Sequence, residues 1–335
     1  PTAGFDISTA VLTNDNLECL LLSSDEGAKV VCSLPDGRRT EMKLGQAGSP
    51  ILYASNASLS RDGKRMMICS TITVAERDQK VCTGFLVSEL DCSTGKIVKS
   101  STYPFTPEII EAISQKGGGY KHKKEYFINN FTPHPMELDN GELVILGCPE
   151  QLSSSVSTSA PNMNNQTREI ATTTLEIGPV IAFYPKRGAT TFEYAIVPRK
   201  MNLSSSAGSG TGSVRIVQIP GISHSYSNFT VSTLGDEILI LYNDEEANLA
   251  KSENENISEA HSTKDLVLAE ALIGKDKKMQ YRKQIGKNLS GKYTYYLGNI
   301  APTTSSSIIF PVGKQGMGFN ARKTYYTNWC FLDVK

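Results

Sequence analysis

A repeated arrangement of strands constrains this chain more than any single motif. A tight polar turn leads into an apolar strand of five to seven residues, a loop follows, and then come a second apolar strand, a turn and a more polar closing strand. The first copy runs through LECLLLS (Leu17–Ser23), AKVVCSL, the turn Pro35-Asp36-Gly37 and RRTEMKL. The second has Arg61-Asp62-Gly63, RMMICSTI, KVCTGFLVSEL, Ser93-Thr94-Gly95 and KIVKSSTY. The third has Asp139-Asn140-Gly141, ELVILGC, a long loop, GPVIAFY, Lys186-Arg187-Gly188 and TTFEYAIV. The fourth has Gly235-Asp236, EILILYN, a long loop, DLVLAEAL, a turn around Gly274-Lys275-Asp276 and a polar strand. The fifth has SSSIIFPV and YTNWCFLDV and no closing strand.

Tight hairpins favour positive φ, which Gly, Asn and Asp adopt at least cost, so these turns account for the chain reversals. The two middle strands of each copy are apolar almost throughout, as when both faces are covered. The closing strand alternates and is polar, as at an outer edge. This gradient predicts an all-β fold, a β-propeller of about five four-stranded blades. The blades fall near residues 9–44, 59–104, 132–198, 230–287 and 300–335, in a single domain spanning 1–335. Residues 1–6 are expected to supply the missing strand of the last blade and so close the ring. A sixth blade would have to come from the irregular stretches 45–58 and 105–131. A meander or sandwich of ordinary hairpins is the alternative architecture.

Residues 105–125 read as an insertion between blades. Within it, Thr106-Pro107-Glu108 has the pattern of an N-cap, a proline at the first helical position and an early acid. It predicts a helix to Lys116, ended by Gly117-Gly118-Gly119. The Ser-rich stretches 153–167 and 204–213 are expected to be polar loops.

Hydrophobic residues make up 39% of the 335, enough for a sizeable core. The 34 basic and 34 acidic side chains cancel, which removes any overall electrostatic ground for a nucleic-acid partner. No apolar run approaches the roughly 18 residues of a membrane span. No Gly-rich phosphate loop, nucleophile elbow or metalloprotease helix occurs, and no cofactor is expected. Pro1 opens the chain without an initiator Met, as expected of a mature or trimmed product, and a removed signal would leave no trace.

The seven cysteines form no Cys-x-x-Cys pair, which argues against zinc ribbons and thioredoxin-type motifs. Cys19 and Cys32 fall on neighbouring strands of the first copy. Cys69 and Cys82 fall at matching places in the second, with the same spacing. Each pair is either a disulfide or two small buried thiols. Cys148 matches the register of Cys69, and Cys92, in a turn, is expected to be the exposed thiol. Glycan-acceptor sequons stand at Asn56, Asn130, Asn165, Asn202, Asn228, Asn256 and Asn288, or these are ordinary polar loops.

Four histidines without ligand spacing provide no metal or catalytic pair. The most basic run, Tyr120-Lys121-His122-Lys123-Lys124, is a candidate surface for an acidic glycan or a partner protein, against the reading of a solvated loop. Arg199, in Val197-Pro198-Arg199-Lys200, is a further candidate binding residue. Asp244 and Glu245, after the strand EILILYN, could offer oxygens to calcium, but EF-hand spacing is absent and an ordinary polar loop is the favoured reading. Ser60-Arg61-Asp62-Gly63 departs from the turn of sialidase blades in spacing and lacks the aromatic that should follow, so it reads as a hairpin turn.

The VPRK run, then HSYSNFTVSTLGDEILILYNDEEANL (His224–Leu249) with its strand ending in Asn-Asp and a following Asn248-Leu249, and the closing YYTNWCFLDVK (Tyr325–Lys335) carry a resemblance. They resemble exported β-propeller proteins of Bacteroidetes, over about residues 130–335. The resemblance implies an extracytoplasmic protein, secreted, periplasmic or at the cell surface, and it brings no catalytic residues with it.

Together these features favour a non-enzymatic module that presents loops to a protein or glycan, as a subunit of a surface assembly. The alternative is a glycoside hydrolase or lyase of sialidase-like type. Its residues would be gathered from several blades into the central funnel.

Overall fold

The computed structural model describes residues 6–12, 17–24, 27–45, 51–76, 79–158, 169–208, 229–252, 255–261, 266–286, 294–295, 301–304, 307–315 and 324–333. The fold is all-β, a series of antiparallel sheets, with one α-helix among the described residues. Contacts divide the chain into two compact units, Pro1–Pro149 with Pro179–Ile196 and Glu150–Gly178 with Val197–Lys335.

In the first unit, β1 (Asp6–Leu12), β2 (Glu18–Ser24), β3 (Gly27–Ser33) and β4 (Arg39–Leu44) form a four-stranded meander. Asp6 already belongs to this sheet, opposite Ser23. The rest of the segment expected to close the last blade, residues 1–5, lies outside the described residues. The second sheet holds β5 (Ile51–Leu59), β6 (Arg65–Glu76), β7 (Gln79–Asp91) and β8 (Lys96–Pro104).

β7 is long enough to serve two partners on one edge. Its later part, from Gly84 to Asp91, pairs with β8, while Val81 and Cys82 pair with Asn129 and Ile128 of a later strand, Glu125–Asn129. The branch falls at Gly84, where a β-carbon would lie 2.5 Å from the Tyr103 carbonyl oxygen. Only glycine allows the backbones to approach this closely. The insertion supplies α1 (Pro107–Ile113), a wider turn over Ser114–Gly118 with Gly117 at φ 91°, and the hairpin β9 (Gly119–His122) and β10 (Glu125–Asn129). The described strands of the stretches 45–58 and 105–131, β5, β9 and β10, thus join the second sheet.

The third sheet begins with β11 (His134–Glu137) and β12 (Leu143–Gly147). The chain then leaves for the second unit as β13 (Glu150–Thr158) and β14 (Glu169–Ile177) and returns as β15 (Val180–Pro185) and β16 (Phe192–Val197). The order β11-β12-β15-β16 completes the third sheet.

Alternation along β6 and β7 explains why these strands are apolar on both faces. Met66, Ile68, Leu86 and Leu90 point to one side and pack with Leu21, Val30 and Cys32 of the first sheet. Met67, Cys69, Phe85 and Val87 point to the other and pack with Ile145, Ile181 and Phe183 of the third. Burying each such side chain is worth about 1.5–3 kcal/mol. Phe183 is central, with the rings of Phe85, Phe105 and Phe192 each at 5.4 Å and Phe131 at 5.9 Å. Face-to-face stacking of successive antiparallel sheets is how propeller blades pack.

In the second unit, β13, β14 and β17 (Met201–Gly208) form a three-stranded sheet. The Ser-rich stretches expected to be loops are thus strands at 153–158 and 204–208, with 159–168 and 209–213 outside the described residues. Thr172, Thr173 and Thr174 of β14 lie between Ser153–Ser155 and Ser204–Ser206, and β-branched threonine suits this pleated surface. β18 (Phe229–Leu234), β19 (Glu237–Glu245), β20 (Leu266–Ile273) and β21 (Met279–Gly286) form a four-stranded meander with Ile238–Tyr242 wholly buried.

The last sheet has β24 (Ser307–Gln315) at its centre. β22 (Thr294–Tyr295) and β23 (Ala301–Thr304) pair with it, as does β25 (Thr324–Asp333), and no described strand lies beyond β25. Among the described residues, no helix is long and apolar enough to cross a membrane.

Candidate functional site

The basic run forms the tip of the β9–β10 hairpin. His122 and Glu125 are paired across a two-residue turn, Lys123-Lys124. Lys123 has φ 54°, a conformation that side chains other than Gly, Asn and Asp adopt only at a cost. Lys121, His122, Lys123 and Lys124 are all exposed. Lys121 Nζ lies 3.0 Å from Tyr126 Oη and 4.5 Å from the centre of its ring. This contact raises the Lys121 ammonium above its usual range and lowers the Tyr126 hydroxyl below its own. Tyr120 and Phe127 stack at 5.1 Å and stiffen the hairpin base. The hairpin tip thus carries three exposed lysines and a histidine, with the Tyr126 ring beside Lys121.

Arg199 does not join this surface. It is fully buried in the second unit, where its Nε donates to Gly178 O at 3.2 Å. Asp244, also fully buried, feels the charges of both Arg199 and Arg282. Its Oδ1 accepts from Asn248 Nδ2 at 3.0 Å and from the Glu245 amide at 2.8 Å, and its Oδ2 is 3.7 Å from Arg282 Nη1. Arg282 Nη1 donates to Pro198 O at 2.9 Å, and its Nη2 donates to Asn248 O at 2.7 Å and to Lys251 O. Asn248 also exchanges hydrogen bonds with the Ser258 backbone, donating to its oxygen and accepting from its amide.

This cluster argues against calcium at Asp244. Two guanidiniums repel a divalent cation, and Asp244 Oδ1 is occupied by two donors. Desolvation pushes the Asp244 carboxyl up to about 6 despite the arginines. What the cluster does is tie the segments 197–199 and 245–261 to β19 and β21. The sequence reading missed Arg282 and Asn248 as partners. The one available signal was the Asn-Asp strand end followed four residues later by Asn248.

A small cleft lies in the first unit, lined by Glu89, Lys99, Ser101, Tyr103, Leu143 and Arg187. Glu89 Oε2 is 3.3 Å from Arg65 Nη1, and burial raises the Tyr103 hydroxyl. Glu89 is the one carboxylate of its lining.

Cys19 and Cys32 sit directly opposite each other on β2 and β3, both as buried thiols. The hydrogen bond between them raises Cys19 and lowers Cys32. Cys69 and Cys82 are not opposite: Cys69 faces Val87 and Cys82 faces Thr73, both thiols again. Burial raises each of them, Cys82 to about 12. Cys92, expected to be exposed, is 5% accessible and packs in the cluster of Cys19 and Cys32.

Of the sequons, Asn165, Asn228 and Asn288 lie outside the described residues. The Asn56 amide is engaged by Thr9 and His134, and Asn130 donates to Lys80 O. Asn202 is half-buried at the start of β17, whereas Asn256 is exposed between strands.

No protein-family model matches the chain, and no curated protein does. Solved structures show likenesses of shape. A puromycin-hydrolysing peptidase of Mycobacterium tuberculosis is similar over 97% of this chain, at 10% identity and TM-score 0.41. The chain spans 39% of that peptidase. A levansucrase variant of B. megaterium is similar over 98% of this chain and 81% of its own, at 8% identity and TM-score 0.36. A glycosyl hydrolase from Bacteroides ovatus is similar over 98% and 84%, at 10% identity and TM-score 0.28. At these values the likenesses carry no residue role or activity across.

Proposed function

We propose that the protein is an exported, non-enzymatic propeller-type module that engages an acidic partner, such as an anionic glycan, through the β9–β10 hairpin. The stacked sheets close into a ring in this reading, and the protein works as a subunit of a cell-surface assembly. The observation that carries the proposal is the hairpin tip. Three lysines and a histidine are exposed at and beside a two-residue turn whose Lys123 occupies a costly backbone conformation. Strained backbone of this kind concentrates where a side chain must be presented.

The resemblance to exported Bacteroidetes propellers supports the location. The test is retention of the full chain on immobilised sulfated and carboxylated glycans in a salt series. The wild type should be retained at low salt and released as salt rises, and replacing Lys121, Lys123 and Lys124 with Glu should abolish retention. Equal elution of both proteins would refute the reading. The sialidase-like alternative calls for two carboxyls about 5–10 Å apart beside arginines. The Glu89 cleft supplies one.

A further inference from the structure

β13 is an outer strand of the sheet β13-β14-β17, and among the described residues no strand pairs with its outer side. Every residue from Leu152 to Thr158 is exposed. An outer strand leaves alternate N–H and C=O groups open to another chain, and proteins usually blunt such edges with lysine, proline, bulges or shortness. β13 uses none of these. It is nine residues long, pairs with β14 in unbroken register, and carries no charge after Glu150. Its two aliphatic side chains, Leu152 and Val156, are each 48% exposed. They lie on one face with Ser154 between them, because side chains alternate along a strand.

This pattern is its own complement. Consider two β13 strands paired antiparallel about a two-fold axis at Ser154. Leu152 of each copy then falls opposite Val156 of the other, Ser153 opposite Ser155, Gln151 opposite Ser157, and Glu150 opposite Thr158. No like charges meet, and the two aliphatic pairs flank the axis on one face, the arrangement that stabilises cross-strand neighbours. We propose that β13 is a homodimerisation edge that joins two copies of the chain in register about Ser154. The three-stranded sheet of each copy then becomes half of one continuous sheet.

The test is sedimentation of the full chain over a concentration series. The wild type should move from 36.5 kDa toward twice that mass as concentration rises. Ser154→Lys sets two ammonium groups directly opposite each other and should raise the dimer dissociation constant by about tenfold or more. Ser154 is exposed, so the variant should keep the wild-type circular dichroism spectrum. Ser154→Cys should form a covalent dimer under mild oxidation, while Ser157→Cys, which faces Gln151, should not. A wild type that stays monomeric, a dimer indifferent to Ser154→Lys, or equal cross-linking of the two cysteine variants would overturn the proposal. The first of these is also what an edge reserved for a different protein would produce.

Discussion

Replacing Arg282 with Met should be among the most damaging single changes in the second unit. Its guanidinium serves three backbone carbonyls, those of Pro198, Asn248 and Lys251, and stands 3.7 Å from Asp244. A hydrogen bond involving a charged group is worth about 1.5–3 kcal/mol. Removing one member of a buried ion pair costs about 3–5 kcal/mol, because the other charge is stranded. One guanidinium makes all these contacts, so the terms overlap, and the expected loss is about 3–5 kcal/mol rather than their sum. Arg282→Lys keeps the charge but not the planar fork, and should lose about half as much. Combining Arg282→Met with Asp244→Asn should cost about 1–3 kcal/mol less than the two single losses added, since no buried carboxylate is left behind. Urea unfolding followed by the fluorescence of Trp329, the chain's single tryptophan and part of β25 in the same unit, measures these losses. Hydrogen exchange should show segment 245–261 opening first. A loss below about 1 kcal/mol for Arg282→Met, with unchanged exchange there, would refute the clamp.

The clamp also has a pH signature. The Asp244 carboxyl sits at about 6 in the fold, above its ordinary unfolded value near 3.9, so the folded state holds the proton more tightly. Wild type should therefore gain stability relative to Asp244→Asn as pH falls from 7 to 4, by up to about 2–3 kcal/mol, read from paired urea midpoints. Gly84→Ala forces a β-carbon against the Tyr103 carbonyl and should lower stability by about 1–3 kcal/mol in thermal unfolding. Phe183→Ala removes a ring with four aromatic neighbours and should cost about 3–5 kcal/mol, read by near-ultraviolet dichroism. Mild oxidation should link Cys19 to Cys32 and leave Cys69 and Cys82 alkylatable after unfolding, as peptide mapping would show.

Strand content was legible wherever burial shapes composition. RMMICSTI reads as a two-faced inner strand because Met66 and Met67 enter different cores. The cysteine spacing misled for a geometric reason. The β2–β3 hairpin closes on Ser24 and Gly27, which places Cys19 opposite Cys32. The β6–β7 hairpin closes later, on Glu76 and Gln79, so equal spacing yields different partners. Ser153–Ser155 looked like a loop because its pairing partners, Thr172–Thr174, lie on another strand, with Ser204–Ser206 beyond them. Composition carries no trace of such distant pairing. Arg199 and Arg282 likewise gave no warning of burial, since their partners are backbone carbonyls contributed by other segments.

The excursion of β13 and β14 out of the third sheet and back means that the chain crosses between its two compact units three times, after Pro149, Gly178 and Ile196. No single cleavage point can therefore separate the two units cleanly. A fragment ending at Pro149 lacks β15 and β16, and the shortest fragment holding all of the first unit also carries β13 and β14. During synthesis, β12 must wait for β15 across the intervening hairpin, a non-local closure of the kind that slows folding. Interleaving of this sort means that a gene truncated anywhere before Ile196 would divide the first unit.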